Sequence, residues 1–292
     1  MLFLILSIFL NAYLGIAFVI FKRFHIDLFQ AIVFNYLTCV ITGSLVLGQF
    51  PIHATTLTEP WFKWAILMGA LFISVFNLIA FSSIKAGVTI TQTANKLSLV
   101  IPFIFSWIYF QETVGLLKIG GILMAMLAVV LVSFRKHNND SSKWQIKDLG
   151  LPFILFISSG IIDTLTAFVQ QSYLQTDDQS NAYLISGFLV AAVLGSLVLL
   201  VQYLQGKRQF HVKHLLAGVV LGIPNYFSIY CLVKALQWPG MSSSAVIPIN
   251  NIGVLFVVSL VGIFIFKEKL IPMNYWGLLI SLMAILLIIL GD

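Results

Sequence analysis

Long apolar runs separated by short polar stretches follow one another along the whole chain. Ten runs of about 20 residues are predominantly apolar, and a helix of about that length crosses the hydrocarbon core of a bilayer. Residues that favour helix starts, such as Asp27, Pro60 and Pro272, lie between the runs. The pattern predicts ten membrane-spanning helices at 2–21, 28–47, 61–84, 89–110, 115–134, 149–172, 181–204, 213–236, 243–266 and 271–290.

The composition excludes a soluble globular protein. Of the 292 residues, 60% are hydrophobic and 9% are charged, and the mean hydropathy is +1.03, whereas soluble domains carry about 25% charged residues. The predicted fold class is therefore an all-α integral membrane protein. Cys39 and Cys231 lie inside apolar runs, which indicates small buried side chains and no disulfide framework. The net charge of +6 comes from loops beside the spans, where lipid head groups explain it and nucleic acid does not.

The two halves of the chain share a pattern. Three pairs of residues have the same offset of about 156 positions, as an internal repeat requires. Five spans per copy is an odd number, so the copies are predicted to cross the membrane in opposite senses, as in transporters that alternate access around a central site. The predicted division is 1–134 for the first repeat, 135–148 for a polar linker and 149–292 for the second repeat. The matching residues are Asn95 and Asn251, Glu112 and Glu268, Gly121 and Gly277, together with Lys85 and Lys234.

Lysine and arginine residues are distributed unequally between the two sides of the membrane. Of the 16 in the chain, twelve lie in or beside loops after odd-numbered spans and three lie on the opposite side. Because cytoplasmic loops are enriched in these residues, the odd-numbered loops are predicted to be cytoplasmic and both termini to be outside.

A motif that ends the fourth span and enters the fifth occurs again at the ninth and tenth spans. In each half a glutamate ends an apolar span and a helix glycine follows about nine residues later. Over its full length the chain resembles the drug/metabolite transporter superfamily, specifically the EamA-type branch with ten spans. The chain departs from the family pattern at Asn35, where many members have arginine. The motif residues are Ile84, Lys85, Ala86, Gly87, Pro102, Glu112, Gly120 and Gly121 in the first half, and Val233, Lys234, Ala235, Asn251, Glu268 and Gly277 in the second.

The resemblance implies two inverted five-helix repeats around a central cavity. It implies that spans 1, 3, 4, 6, 8 and 9 line this cavity, with spans 5 and 10 at the periphery. Family substrates include amino acids, nucleotide precursors, sugars and drugs, proton coupling or exchange is common, and no cofactor is expected. Family members often have both termini in the cytoplasm, which disagrees with the charge distribution of this chain.

The motif glutamates and lysines have a structural interpretation. Glu112 and Glu268 each precede a new helix, so each carboxylate is predicted to cap the free N–H groups of the helix that follows it. Lys85 and Lys234 end spans, where a long side chain can extend its ammonium group to the lipid head groups.

Two charged residues, Lys96 in span 4 and Asp163 in span 6, lie deep inside predicted spans. A charge at the bilayer centre costs on the order of 3 kcal/mol, so it normally faces a cavity or a partner. We therefore expect Asp163 to face the cavity, where it either pairs with Lys96 or binds a cationic group or a proton. A purely structural ion pair is the alternative.

Further polar and aromatic side chains lie in the spans that the resemblance assigns to the cavity. Amide and hydroxyl groups in membrane helices also join one helix to another, so each of these residues has a structural alternative. The candidates for substrate contact are Asn95, Gln92, Asn250, Asn251, Asn11, Tyr13, Asn77, Gln170, Asn225, Tyr226, Tyr230 and Trp107, in addition to Asp163 and Lys96.

Among functional classes, the sequence favours a secondary carrier over an enzyme or a channel. The five histidines lie in loops or at span ends, so no spaced ligand set predicts a metal or a catalytic centre. The first prediction is a multi-pass protein of the bacterial inner membrane that exports amino acids or related solutes. The alternative is an uptake or exchange carrier for a nucleotide-, sugar- or vitamin-type solute. The expected partners are a small-molecule substrate and membrane lipid, and both a monomer and a homodimer are compatible with the sequence.

Overall fold

The computed structural model describes residues 1–53, 56–85, 88–112, 114–133, 150–265 and 271–292. These residues form helices and their connections and contain no strand. The helices are α1 Leu2–Arg23, α2 Leu28–Leu47, α3 Phe62–Lys85, α4 Val88–Leu97, α5 Val100–Tyr109, α6 Leu116–Ser133, α7 Gly150–Tyr173, α8 Asp177–Leu204, α9 Val212–Leu236, α10 Ser243–Phe264 and α11 Pro272–Leu290. A short 3-10 turn, Thr56–Thr58, precedes α3.

Seven helices within the described residues are long and apolar enough to cross a membrane. They are α2, the Phe62–Ile79 part of α3, and α7 to α11. Their length and hydropathy indicate a multi-pass membrane protein. The predicted helix class is therefore confirmed, and the helix bounds follow the apolar runs to within a few residues. The predicted linker 135–148 lies outside the described residues.

The prediction of a single helix at 89–110 is wrong, because this run forms two helices, α4 and α5. Residues 98 and 99 form a turn between them. Pro102 has no N–H to donate to the Ser98 carbonyl, and its ring crowds that carbonyl. The Ser98 carbonyl accepts instead from Ile101 at 2.9 Å, and the Ser98 hydroxyl donates to the Asn95 carbonyl at 2.6 Å.

The chain divides into two compact units, and each takes helices from both halves of the sequence. Unit 1 comprises Met1–Asn77 and Phe168–Gln237. In unit 1, α9 lies close to α2 because glycine faces the neighbouring backbone. A Cβ atom at Gly222 would lie 2.7 Å from the Asn35 carbonyl oxygen, and one at Gly218 would lie 3.0 Å from the Ala31 carbonyl oxygen. These two glycines are four residues apart and so lie on one helix face.

Unit 2 comprises Leu78–Ala167 and Trp238–Asp292. Its α6 and α11 pack as an antiparallel pair through one glycine on each helix. A Cβ atom at Gly121 would lie 2.7 Å from Cγ1 of Ile288, and one at Gly277 would lie 2.7 Å from the backbone nitrogen of Val132. The Asn274 amide also donates to two carbonyls near the end of α6, at 3.0 and 2.8 Å. The motif glycines of the two halves therefore allow the close approach of this pair.

Candidate functional site

Lys96 lies in the last turn of α4, next to the break in the predicted span. The C-terminal end of a helix is negative because its last carbonyls are unpaired, so a lysine there is favourable. The side chain is partly buried, and its ammonium nitrogen donates to Oδ1 of Asn251 on α10 at 3.3 Å.

The side chain of Asn251 also contacts the second charged residue, Asp163. Its Nδ2 donates to Oδ2 of Asp163 on α7 at 2.8 Å. One carboxamide thus joins an ammonium group on α4 to a carboxylate on α7, and all three residues lie in unit 2. We call Lys96, Asn251 and Asp163 the polar bridge.

The predicted relation between the two charges is therefore refined. The sequence placed Lys96 and Asp163 together as candidates and allowed for a direct ion pair. In the structure both charged groups form hydrogen bonds with Asn251. A neutral amide with a donor at one end and an acceptor at the other matches one positive and one negative partner.

Three further polar atoms, all within four residues of Asp163 or Asn251 in sequence, are buried and have no hydrogen-bond partner among the described residues. They are Oγ of Ser159, Oγ1 of Thr164 and Oδ1 of Asn250. Ser159 lies one helical turn before Asp163, so the two share a face of α7. Buried polar atoms normally have a partner, so these atoms are available to a polar ligand or to water.

The other candidates in unit 2 are less informative. Asn95 is partly buried, and its backbone carbonyl accepts from Ser98. Pro102 is buried in α5 and accounts for the helix break. Trp107 is 46% exposed, and its ring lies 6.5 Å from that of Phe103. The side chain of Gln92 lies outside the described residues.

The candidates in spans 1, 3 and 6 that belong to unit 1 bond mainly to nearby backbone. Asn11 donates to the Ser7 carbonyl at 3.0 Å, and Asn77 donates to the Ile73 carbonyl at 2.6 Å, each one turn earlier on its own helix. Gln170 donates to the Leu174 carbonyl at 3.4 Å. These bonds satisfy the amides locally, as expected for structural polar groups in membrane helices.

The α9 candidates and Tyr13 join helices to one another. Tyr13 donates to the Val220 carbonyl at 3.2 Å, and Asn225 donates to Oδ1 of Asn35 at 3.1 Å. Tyr226 donates to Oδ1 of Asn181 at 3.4 Å and stacks on Tyr230 with ring centres 5.9 Å apart. Asn35 is therefore part of a buried amide pair.

The prediction for Glu112 is wrong about the helix that it caps. Its Oε1 accepts from the backbone N–H of Ser243 at 3.2 Å and from the Ser243 hydroxyl at 2.7 Å, and its Oε2 accepts from the Ser244 N–H at 3.1 Å. The carboxylate caps α10, whereas α6 follows it in sequence. Sequence order favoured the next helix, but tertiary packing brings the start of α10 within reach. Glu268 lies outside the described residues.

The prediction for Lys234 is also corrected, because its ammonium group forms an ion pair with Asp177 at the start of α8. The lysine side chain is only 15% exposed, and its ammonium nitrogen lies 5.7 Å from the Tyr230 ring centre. A protein partner therefore takes the place of the predicted lipid head group. The side chain of Lys85 lies outside the described residues.

A cluster that the sequence analysis did not identify joins the ends of three helices in unit 1. Asp27 caps α2 and forms an ion pair with Arg208, and its backbone N–H donates to Nδ1 of His214 at 3.2 Å. Gln30 donates to Asp27 at 3.4 Å and accepts from the Tyr203 hydroxyl at 2.8 Å. We call these five residues the Asp27 cluster. The sequence predicted only the cap, because Arg208, His214 and Tyr203 lie more than 170 residues from their partners Asp27 and Gln30.

Comparison with known proteins gives a relative and a fold but no function. No family model matches the chain. An uncharacterized protein of Haemophilus influenzae is 27% identical over 289 residues, which cover 97% of this chain and 95% of that protein. One crystal structure matches with a TM-score of 0.76 at 13% identity, over 98% of this chain and 96% of that chain. The helical fold is thus shared with a solved structure over almost the full length.

Proposed function

We propose that the chain is a ten-span secondary carrier of small metabolites, built from two inverted five-helix repeats of the EamA type. Its first expected activity is the export of amino acids or related solutes across the bacterial inner membrane. The observation that carries the proposal is the polar bridge, which holds a cation and an anion among apolar helices. Such charges in membrane helices mark substrate or ion pathways.

The positions of the helices support ten spans. The seven long apolar helices account for seven of them. In the proposal α1, the α4–α5 pair and α6 provide the other three. Discontinuous helices beside charged groups are typical of transporter binding sites, and the α4–α5 break directly follows Lys96.

Polar contacts between loops support the same topology. The Asp27 cluster joins the loops after spans 1 and 7, both odd-numbered. Glu112, after span 4, caps the helix that follows span 8, and Lys234 at the end of span 8 pairs with Asp177 after span 6. Ten alternating spans place the partners of each contact on the same side of the membrane.

Contacts between repeat-related helices support the inverted repeat. Within unit 1, α2 packs against α8, and within unit 2, α5 packs against α10 and α6 against α11. In the proposed repeat these are the second, fourth and fifth spans of the two copies. Gly121 and Gly277 hold equivalent positions in the α6–α11 pair, as a local two-fold relation requires.

The polar bridge also supports a zwitterionic solute. Lys96 is suited to a carboxylate and Asp163 to an ammonium group, and an amino acid carries both on one carbon. A phosphorylated solute carries about two negative charges and would face the Asp163 carboxylate. The amino acid class is therefore preferred to nucleotide-type substrates.

Purified protein in liposomes tests this proposal. The vesicles are loaded with a mixed pool of amino acids, nucleosides and vitamins, and the loss of each solute is followed by mass spectrometry with and without a pH gradient. We expect selective loss of amino acids compared with protein-free vesicles. If only another class of solute is lost, the proposed amino acid substrate is contradicted. If vesicles with folded protein lose no solute, the proposed carrier function is contradicted.

A further inference from the structure

The Asn251 carboxamide has the same pattern of donor and acceptor as the head group of a zwitterion. Its oxygen accepts from Lys96 at 3.3 Å and its nitrogen donates to Asp163 at 2.8 Å. Asn251 is 8% exposed, so the amide lies largely away from solvent. Both partly buried charges are thus hydrogen-bonded by the protein itself.

A carrier that alternates access must pass through a state in which its site is closed to water on both sides. Unpaired charges are costly in such a state, because the lost hydration is not replaced. A carrier whose charges depend on the substrate for pairing therefore cannot easily return empty, and it is restricted to exchange. A carrier with an internal partner for both charges does not have this restriction.

We propose that the Asn251 amide replaces the substrate head group when the carrier is empty, and so allows the empty carrier to reorient. This inference rests on the proposed carrier function and adds its mode of operation. The carrier performs net transport, and Asn251 is a positioning residue that acts on the empty state. The substrate displaces the amide when its carboxylate reaches Lys96 and its ammonium group reaches Asp163.

The neutrality of the amide makes the displacement favourable. The amide meets each charge with one charge-assisted hydrogen bond, whereas a zwitterion adds the attraction between opposite charges to the hydrogen bond at both groups, so it binds both groups more tightly than the amide does. A direct ion pair between Lys96 and Asp163 would compete with the substrate more strongly. An asparagine at this position therefore forms hydrogen bonds with both charges in the empty carrier and can still be displaced by the substrate.

The variant Asn251→Leu tests the inference, because leucine has a similar volume and neither donor nor acceptor. Liposomes are loaded with the standard amino acids labelled with ¹³C. They are diluted either into buffer without amino acids, which measures net release, or into the unlabelled mixture, which measures exchange. Ser259→Ala on the same helix is the control, since that hydroxyl bonds only one turn back, to the Leu255 carbonyl at 2.7 Å.

For the wild type and the Ser259→Ala control we expect comparable rates of net release and exchange. For Asn251→Leu we expect net release to fall about tenfold or more relative to exchange, because the empty site loses its hydrogen bonds to both charges. Preserved exchange also shows that the variant is folded. An equal loss in both modes, or no loss in either, contradicts the role of Asn251. No release of amino acids by the wild type in either mode contradicts the proposed substrate class and not the role of Asn251, so this outcome is distinct from the failure of the inference.

Discussion

Charged side chains in this protein find partners that are distant in sequence. Lys96 and Asp163 meet through Asn251, Glu112 caps a helix 131 residues further along, and Lys118 pairs with Asp292 at 2.5 Å. In a bilayer each unpaired charge costs several kcal/mol, so such partners fix how the helices pack. The charged residues therefore carry much of the specificity of the fold.

Asp163 is the residue whose neutralisation tests the site most sharply. We expect Asp163→Asn to slow the release of amino acids by about tenfold or more, because the substrate ammonium group loses a charged acceptor. Any acceleration by a pH gradient should also disappear. The measurement is release from liposomes at two pH values and with and without a pH gradient, with Ser158→Ala on the same helix as the control, since its hydroxyl bonds locally to Ile154. Unchanged release with an unchanged pH dependence would rule out the role of this carboxylate.

Asp292 provides a pH-dependent contribution to stability outside the spans. Burial alone raises the pKa of its carboxyl group, but hydrogen bonds from Lys118 and Ser242 outweigh this effect, so the pKa is lowered. A lowered pKa in the folded state stabilises the protein above the unfolded pKa of about 3.9. This contribution is lost as the pH falls through the folded pKa.

We therefore expect Asp292→Asn to lower the melting temperature by about 2 °C at pH 7 and by less near pH 3. Thermal unfolding in detergent at the two pH values measures this difference. Glu59→Gln, in the loop before α3, is the control. A decrease in melting temperature that is equal at both pH values would show that the charge of the Asp292 carboxylate does not cause the loss of stability.

At the residue scale the sequence identified candidates but not their contacts. Lys96 and Asp163 were identifiable because charges inside apolar runs are rare and costly. Asn251 was one amide among several, and its position between the two charges depends on how α4, α7 and α10 pack. The partners of Glu112 and Lys234 were mispredicted for the same reason.

Glycine determines how closely the helices approach each other. On α6, Gly121 faces α11, and an added Cβ atom would lie 2.7 Å from Cγ1 of Ile288 and 3.0 Å from its backbone nitrogen. The neighbouring Gly120 has no atom within 4 Å of an added Cβ atom. Two adjacent glycines on one helix therefore have different roles.

This difference gives a matched pair of variants. We expect Gly121→Ala to destabilise the protein by about 1–3 kcal/mol, because the extra methyl group forces α11 away. We expect Gly120→Ala to be neutral or to stabilise by up to about 1 kcal/mol, since alanine favours the helix. Thermal unfolding of the two variants under identical conditions measures both effects. Equal effects would mean that the close contact at Gly121 does not limit packing.

At the element scale the sequence was a good guide to the helices. Long apolar runs bounded by capping and turn residues leave little choice of structure in a membrane, because backbone groups must be paired within the segment. The break between α4 and α5 was missed even though Pro102 was among the motif residues of the first half. We predicted the length of this span from its apolar content. In the structure, the missing N–H of Pro102 determines where the helix is interrupted.

At the scale of the whole molecule, the compact units differ from the sequence repeats. Unit 1 and unit 2 each contain residues from before and after the predicted linker. The packing within each unit explains this arrangement, because α2 contacts α8 and α9 in unit 1, and in unit 2 α5 contacts α10 and α6 contacts α10 and α11. The division into repeats at 1–134 and 149–292 thus stays a prediction about sequence and symmetry, while the units describe packing.

The central claim is that Lys96 and Asp163, the two charged residues of the polar bridge, bind the solute of a carrier, and Lys96→Met tests it most directly. The measurement is the initial rate of amino acid release from liposomes that contain equal amounts of wild-type or variant protein. We expect the wild type to exceed protein-free vesicles and Lys96→Met to be slower by about tenfold or more, because the substrate carboxylate loses its cation. Equal release by the wild type and the variant would contradict the claim.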